Sequence, residues 1–206
     1  MKLYYSKGAC SLAPRIIINE IGIACEFETV DLTSKKTQSG QNFNTINPKG
    51  SVPTLVTNDN ETLTENAVIL QYLADINKAE SLLPFIGNFK RYKVLEWLNY
   101  VTTELHKGFA PLFNPNMPQE IKDTIYIPQL KTKFAYLNKN LEDKTYLNGE
   151  QFTLPDAYLF VVLTWSFYFK IDLNEWPNVM RFLKDVQARK AVQQSLEEEN
   201  LHLTIA

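Results

Sequence analysis

The sequence is poor in the residue types that build metal centres, disulfide frameworks and membrane spans. Its 206 residues include only two cysteines, Cys10 and Cys25, and two histidines, with neither a Cys-x-x-Cys pair nor a Cys/His cluster, so no metal site is expected. No uninterrupted apolar run approaches the roughly 18 residues that span a bilayer. The first residues turn polar at Ser6, so a signal peptide is not expected either. Because cysteines are few and no export signal is seen, we expect a cytoplasmic location.

Neither sign of charge is in large excess, since the formal net charge is −2, and the Lys and Arg residues are scattered along the chain. Nucleic acid is therefore not expected as the main partner, because phosphate binding needs a basic stripe. The chain is instead well supplied with apolar side chains: 45% of its residues are hydrophobic and 12% are aromatic, enough for a core together with a pocket or an interface. Its length permits one large domain or two small ones.

The first 77 residues are predicted to form an α/β domain in the order β-α-β, loop, β-β-α. Apolar and alternating runs predict the strands. Gly22 predicts the end of the first helix, and Thr64 predicts the cap of the second. The polar residues 31–44 are expected to form a loop with a turn or two of helix. The expected strands are 1–6, 25–30, 53–57 and 61–63, and helices are expected to begin near 11 and 65.

Cys10 lies between the first strand and the first helix, where a thiol can act chemically. Unpaired N–H groups and the positive end of the helix dipole favour an anion at such a place. The pKa of a cysteine can fall there from about 8.5 to roughly 3.5–7.5. The position therefore predicts a thiolate at Cys10. A buried, inert cysteine is the commoner case among proteins, and it stays open on local grounds.

The segment Asn47–Pro53 reads Asn-Pro-Lys-Gly-Ser-Val-Pro, and its two prolines and glycine predict a rigid turn. With a thiol at the first helix start and Glu65-Asn66 at a later one, the first domain resembles the thioredoxin-like, glutathione-binding domain of cytosolic glutathione transferases. The resemblance implies a cis peptide bond before Pro53. It also implies that the main chain of Val52 pairs with the cysteinyl residue of glutathione like an added strand. From the residues alone, an ordinary hairpin turn is the alternative.

Glu65 and Asn66 suit the two charges at the γ-glutamyl end of glutathione. An acidic side chain suits the ammonium group, and donors at a helix start suit the carboxylate. The family's usual pair is an acidic residue followed by serine, so Asn66 departs from the pattern while it keeps an amide donor. Taken alone, both residues could simply be solvated. For the glycyl carboxylate nothing local separates Lys35 from Lys36, and only the resemblance selects Lys35.

Residues 78–87 lose periodicity, and helical patterns replace strand patterns after them. We therefore expect a linker at 78–87 and an all-helical domain at 88–206 that contributes a hydrophobic substrate site. A break is expected at 109–118, where three prolines occur. Thr153–Asp156 has the pattern of a capping box at the start of a deeply apolar helix. The other expected helices are about 88–107, 120–142 (adjusted near Pro128) and 176–199.

The first long helix carries His106, and α-helical spacing places Asn99 and Thr103 on the same face. Essentially the whole chain resembles the bacterial beta class of glutathione transferases, and the pair of Cys10 and His106 points to this class. In that class the cysteine and the histidine both face the glutathione sulfur, so the resemblance implies that Cys10 and His106 are catalytic. It also implies a glutathione-binding set, partly reaching from a neighbouring subunit: Ala9, Cys10, Lys35, Val52, Pro53, Glu65, Asn66, Asn99, Thr103, Glu104, His106 and Lys107.

The resemblance implies a homodimeric detoxification enzyme with glutathione as co-substrate and no metal. Such an enzyme stabilises the glutathione thiolate and orients its attack on a hydrophobic electrophile. Thiol transfer, or disulfide or peroxide reduction, through Cys10 would be a second activity. A non-catalytic protein that binds glutathione or hydrophobic ligands is the alternative. Four aromatic residues are candidates for the apolar pocket, although core positions are the commoner place for such residues: Phe109, Phe113, Trp165 and Tyr168.

Overall fold

The computed structural model describes residues 1–205, and the chain divides into two compact units. Unit 1 comprises Met1–Glu80 together with Arg189–His202, and unit 2 comprises Ser81–Ala188 with residues 203–205. Unit 1 contains the whole sheet and unit 2 is helical, as the sequence predicts. No helix within residues 1–205 combines the length and the apolar character that crossing a membrane would need.

The sheet of unit 1 has five strands in the order β3-β2-β1-β4-β5. The central pair β1 and β2 is parallel, and the other three pairings are antiparallel. The predicted order β-α-β, loop, β-β-α is confirmed, with a short extra strand and a 3₁₀ turn (Phe43–Thr45) inside the predicted loop. The strands are β1 Lys2–Tyr5, β2 Glu26–Asp31, β3 Lys36–Thr37, β4 Thr54–Val56 and β5 Thr62–Thr64.

Two helices of the first eighty residues pack on this sheet: α1 (Leu12–Ile21) and α2 (Asn66–Ile76). The first buries a continuous apolar stretch, because Ile16, Ile17 and Ile18 are all almost fully buried. It ends at Gly22, whose φ of 76° is left-handed and whose N–H donates to the Ile18 carbonyl. Glycine takes this conformation without steric cost, so the predicted stop is confirmed.

The end of the chain differs from its predicted place in the helical domain. A single helix over 176–199 is predicted, but the structure has α8 (Pro177–Gln187) and α9 (Lys190–Glu198), separated at Arg189, whose backbone is extended. Segment 189–202, including α9, belongs to unit 1, where Asn19 of α1 donates to the Ser195 hydroxyl at 2.9 Å. The break therefore lets the last helix pack on α1, within unit 1.

The first helices of unit 2 form one continuous helical segment, in which the hydrogen-bond pattern changes from α to π and back to α. Helix α3 (Phe89–Tyr100) starts at Asn88, whose side chain accepts from the Lys90 N–H, and a π-helical turn (Val101–His106) leads into α4 (Lys107–Phe113). A break from residue 109 is predicted, yet the helix continues past Pro111. Proline removes one helical hydrogen bond, but Phe109 and Leu112 are buried and their packing holds the last turn.

The remaining helices of unit 2 follow the predicted pattern closely. A second π-helical turn (Lys122–Tyr126) separates α5 from α6, which agrees with the adjustment expected near Pro128. The capping box at Thr153–Asp156 is present and starts the apolar helix α7. Most of α7 is buried, so it forms the centre of the core of unit 2. These helices are α5 Gln119–Ile121, α6 Ile127–Asn140 and α7 Leu154–Tyr168.

Candidate active site

Cys10 stands at the end of a tight loop between β1 and α1. The hydroxyl of Ser11 closes this loop, because it accepts from the Ser6 N–H and donates to the Ser6 carbonyl, both at 3.2 Å. The Cys10 side chain is only 8% exposed. Its thiol donates to the main-chain carbonyl of Val52 across 3.4 Å. The thiol thus contacts the turn that the sequence singled out.

The environment of Cys10 does not produce a thiolate. Burial raises the pKa of the Cys10 thiol to about 12, and this effect exceeds the lowering by the main-chain N–H groups of Cys10 and Ser11. The predicted fall in pKa is therefore wrong for the protein alone. A helix start lowers the pKa of an exposed thiol, whereas a thiol removed from water loses the solvation that would stabilise its anion.

The turn that precedes β4 is held by the side chains of Asn47 and Lys35. The Val52–Pro53 peptide bond is cis, as the resemblance implies. The Asn47 amide donates to the Ser51 carbonyl at 2.8 Å. The Lys35 ammonium donates to the Gly50 carbonyl at 2.7 Å. Gly50 has a left-handed φ of 61°, and a Cβ there would lie 2.9 Å from the Asn44 side-chain oxygen, so glycine is required.

The main chain of Val52 is left with an unused donor. Its carbonyl accepts from the Cys10 thiol. Its N–H has no acceptor anywhere in residues 1–205. Main-chain donors that stay unpaired inside a protein are rare. This donor beside a thiol is the kind of edge on which an extended peptide adds its own main chain.

Glu65 and Asn66 open helix α2 in a different way from the predicted Thr64 cap. Strand β5 continues through Thr64, and the first helical residue follows Glu65, whose φ of 70° lies in the left-handed region. A positive φ at a residue other than glycine, asparagine or aspartate is unusual and is concentrated at functional sites. The exposed Glu65 carboxylate pairs with the Lys49 ammonium at 2.6 Å. Lys49 is a residue that sequence reasoning missed, although it lies inside the Pro-Lys-Gly turn motif.

The Asn66 side chain is directed at Cys10. Its Nδ2 donates to the Cys10 carbonyl at 3.1 Å, which fixes the orientation of the amide. Its Oδ1 is buried and has no hydrogen-bond partner among the described residues. Ala9 is half-buried and packs against the small apolar cluster that contains Tyr4 and Val52. Unit 1 thus brings Val52 and Asn66 into contact with Cys10, and the Lys35 ammonium binds the Gly50 carbonyl in the same turn as Val52.

In unit 2 the π-helical turn separates the side chains that α-helical spacing would place on one face. Asn99 and Thr103 are exposed, and the Thr103 hydroxyl donates back to the Asn99 carbonyl at 3.1 Å. Glu104 forms an ion pair with Lys133 at 3.0 Å. Lys107 is exposed. The π turn changes the angular spacing, and π-helical turns often occur at functional sites.

His106 is half-buried and lies against α7. Its Nδ1 forms a hydrogen bond with the Tyr158 hydroxyl, and its ring meets that of Trp165 edge to face with centroids 5.0 Å apart. Burial, with a smaller contribution from the Lys107 ammonium, lowers the pKa of His106 to about 4. The imidazole is therefore neutral near pH 7. It carries one proton, so it can donate a single ring hydrogen bond.

The aromatic candidates for the apolar pocket divide into two kinds. Phe109 and Trp165 are buried in the core, which is the commoner place for such aromatic residues. Phe113 and Tyr168 are 49% and 75% exposed and stack on each other with centroids 6.1 Å apart. The buried pair supports the exposed pair through packing, because Trp165 contacts the Phe113 ring edge-on. Unit 2 thus presents an aromatic surface next to the half-buried His106.

The comparisons with known proteins agree with this arrangement. The sequence matches the family described as "Glutathione S-transferase, N-terminal domain" over residues 1–75 and the family described as "Glutathione S-transferase, C-terminal domain" over residues 100–190. It is 43% identical over 201 residues to glutathione S-transferase GstA of Escherichia coli O157:H7, which covers 98% of this chain and all of the relative. The chain belongs to the glutathione S-transferase family.

Solved structures place this transferase in the bacterial beta class. A beta-class glutathione S-transferase of Sphingomonas chungbukensis superposes with a TM-score of 0.94 at 39% identity, over 98% of this chain and all of that one. A sphingomonad glutathione S-transferase, solved in complex with glutathione, superposes with a TM-score of 0.93 at 40% identity and the same coverage. The family, the fold class and the transferase activity predicted from the sequence are confirmed. Within residues 1–205 no three His, Cys, Asp or Glu side chains are grouped as metal ligands.

Proposed function

We propose that this transferase binds glutathione along the cis-Pro turn of unit 1 and transfers its sulfur to an electrophilic carbon of a hydrophobic compound. The proposal rests on the Val52 main chain: its N–H is unpaired within the described residues, and its carbonyl contacts the Cys10 thiol. The cysteinyl residue of an extended tripeptide that pairs there would bring its sulfur close to Cys10. The glutathione complex of the sphingomonad relative supports this choice of ligand.

The charged ends of the tripeptide are assigned to groups on the same unit. Glu65 binds the γ-glutamyl ammonium group, and the N-terminal amides of α2 bind the γ-glutamyl carboxylate. Lys35 binds the glycyl carboxylate. The buried, unpartnered Oδ1 of Asn66 is an acceptor, so it suits the ammonium group better than the carboxylate. The rest of the proposed set comprises Ala9, Pro53, Asn99, Thr103, Glu104 and Lys107, in part from a neighbouring subunit.

Cys10 and His106 are proposed to stabilise negative charge on the glutathione sulfur. Because the Cys10 thiol has a pKa of about 12, it acts as a neutral S–H donor and not as a thiolate. His106 is neutral and donates its single ring proton to the same sulfur. The glutathione thiolate attacks the electrophilic carbon, a carbon–sulfur bond forms, and the leaving group takes the bonding electrons. Thiol transfer through Cys10 needs its thiolate, so we expect that activity to be the slower one near neutral pH.

The hydrophobic second substrate is assigned to the aromatic surface of Phe113 and Tyr168. Exposed, stacked aromatic rings offer apolar contact to a flat electrophile.

We also propose a homodimer, as the class resemblance implies, and a reducing cytoplasmic compartment, since both cysteines are free thiols. The non-catalytic alternative finds no support, because the relatives that match the full chain are transferases.

Calorimetry of glutathione binding tests the proposal through Glu65. We expect Glu65→Gln to weaken glutathione binding by about 10- to 100-fold, because a hydrogen bond to a charged group contributes about 1.5–3 kcal/mol. Glu61→Gln is the matched control, since Glu61 is also exposed and lies just before β5. Its affinity for glutathione should be unchanged.

Conjugation of glutathione to an aryl halide is measured on the same proteins. We expect the wild-type protein to turn over and Glu65→Gln to need more glutathione for half-maximal rate. Absence of binding heat at millimolar glutathione, with the protein folded by circular dichroism, would refute the proposed site. Binding without any conjugation would favour the non-catalytic alternative.

A further inference from the structure

Helix α7 contributes a polar contact to the ring of His106. Tyr158 lies within the apolar run Ala157–Leu163 and is only 1% exposed. Its hydroxyl bonds to Nδ1 of His106, and the two rings meet edge to face with centroids 5.8 Å apart. A buried tyrosine hydroxyl usually has a hydrogen-bond partner. Here that partner is the histidine to which we assign a role in catalysis.

The protons of this pair can be arranged in two ways. A neutral imidazole has one N–H and one bare nitrogen. If the Tyr158 hydroxyl donates to Nδ1, the proton of His106 sits on Nε2. If instead Nδ1–H donates to the phenolic oxygen, Nε2 is a bare acceptor. Only the first arrangement lets Nε2 donate to an anionic sulfur, since a bare nitrogen would repel it.

The ring of His106 is also held against rotation. Trp165, about two helical turns further along α7, contacts the ring edge-on. The neighbouring Leu105 is fully buried and anchors the π-helical turn that carries the histidine. Helix α7 itself starts at a buried capping box. Packing therefore keeps Nδ1 toward the hydroxyl and Nε2 on the other side of the ring.

We propose that Tyr158 is a positioning residue: its hydroxyl donates to Nδ1 of His106 and so keeps the ring proton on Nε2. The inference rests on the proposed role of His106 as a donor to the glutathione sulfur. Tyr158 itself does not contact the sulfur. A hydrogen bond to one ring nitrogen is the general means by which proteins select the tautomer of the other.

Long-range proton–nitrogen NMR of the histidine rings tests the tautomer directly in the wild-type protein. The chain has only two histidines, so His202→Gln assigns the signals of His106. We expect the proton of His106 on Nε2 at neutral pH. We expect Tyr158→Phe to produce a mixture of tautomers, while Tyr146→Phe, which changes another buried tyrosine of unit 2, leaves the Nε2 form in place. A wild-type proton on Nδ1, or a Tyr158→Phe spectrum identical to wild type, would overturn the inference.

Kinetics on a double-mutant cycle tests the functional part. We expect Tyr158→Phe to lower kcat/KM for conjugation about 10-fold, the effect of one hydrogen bond of about 1–1.5 kcal/mol. His106→Gln supplies an amide donor that has no tautomers, so Tyr158→Phe should add little in that background. Equal losses in both backgrounds would mean that Tyr158 acts through the fold alone. If His106→Ala and His106→Gln both keep full activity, the proposed role of His106 fails, whatever the tautomer measurement shows.

Discussion

Replacing Glu199 by glutamine is expected to lower the free energy of unfolding by about 3 kcal/mol. Glu199 follows α9 and is 3% exposed. Its carboxylate accepts from the Arg15 side chain at 3.0 Å and from the Gly8 N–H at 2.9 Å. A glutamine there can keep one acceptor toward Gly8, but it then turns an amide donor toward the buried guanidinium. Breaking a buried pair from one side costs about 3–5 kcal/mol, and the remaining Glu198–Arg15 pair keeps the loss near the lower figure.

The guanidinium of Arg15 makes this site sensitive because it is enclosed. It lies over the rings of Tyr5 and Phe27, with distances to the ring centroids of 4.3 and 3.7 Å. Its Nη2 has no hydrogen-bond partner within the described chain. Water therefore cannot easily replace the lost carboxylate. The cost of an uncompensated buried charge dominates the expected effect.

Denaturant unfolding measures the loss, and Glu20→Gln is the matched control. Glu20 pairs with Arg189, so it also joins α1 to the segment that carries α9, but it is partly exposed and lies away from the Cys10 loop. We expect that control to cost no more than about 1 kcal/mol. Adding Arg15→Met to Glu199→Gln should recover stability, since no buried charge then lacks a partner. A loss below about 1 kcal/mol for Glu199→Gln would show that the buried pair is not important for stability.

Replacing Asp156 by alanine is expected to destabilise unit 2 by about 3–5 kcal/mol. Asp156 is fully buried at the start of α7. It accepts from the Leu147 N–H at 2.9 Å, from the Thr153 N–H at 2.8 Å and from the Thr153 hydroxyl at 2.7 Å. Each buried N–H left without an acceptor costs about 1–3 kcal/mol, and the cap itself contributes about 1 kcal/mol.

Asp172→Ala is the control for this prediction, because its carboxylate also accepts one main-chain N–H, from Asn174 at 2.9 Å, but at an exposed position. We expect that change to lie within about 0.5 kcal/mol of wild type. Thermal and denaturant unfolding of both variants, followed by helical circular dichroism, separates the two cases. Equal stability of the two variants would contradict the role given to the Asp156 hydrogen bonds.

Features decided by neighbouring residues were predictable from the sequence. Gly22 ends α1 because only a residue without Cβ takes its left-handed backbone freely. Thr153–Asp156 satisfies the N–H groups of its own helix start, so its pattern is readable locally. The turn Asn47–Pro53 is likewise fixed by its own prolines and glycine, although only the resemblance implied its cis bond.

Features decided by distant parts of the chain were not predictable. The pKa of Cys10 depends on burial by residues such as Val52 and Asn66, 42 and 56 positions further along the chain. The place of α9 depends on ion pairs between Arg15 and residues more than 180 positions away. Tyr158 carried no signal beyond being the one hydroxyl in an apolar run. Its partner His106 lies 52 positions earlier, across a π-helical turn that local spacing does not reveal.

Near neutral pH, the thiolate at this site is expected to be that of glutathione and not that of Cys10. Ultraviolet thiolate absorbance distinguishes the two sulfurs when it is titrated in a Cys25→Ser background, where Cys10 is the protein's sole thiol. We expect no thiolate below about pH 9 in the protein alone, because burial raises the pKa of Cys10 to about 12. Adding glutathione should produce a neutral-pH thiolate, which persists in Cys10→Ala. A thiolate that forms near or below neutral pH without glutathione, and that is lost in Cys10→Ala, would show that Cys10 itself is the thiolate.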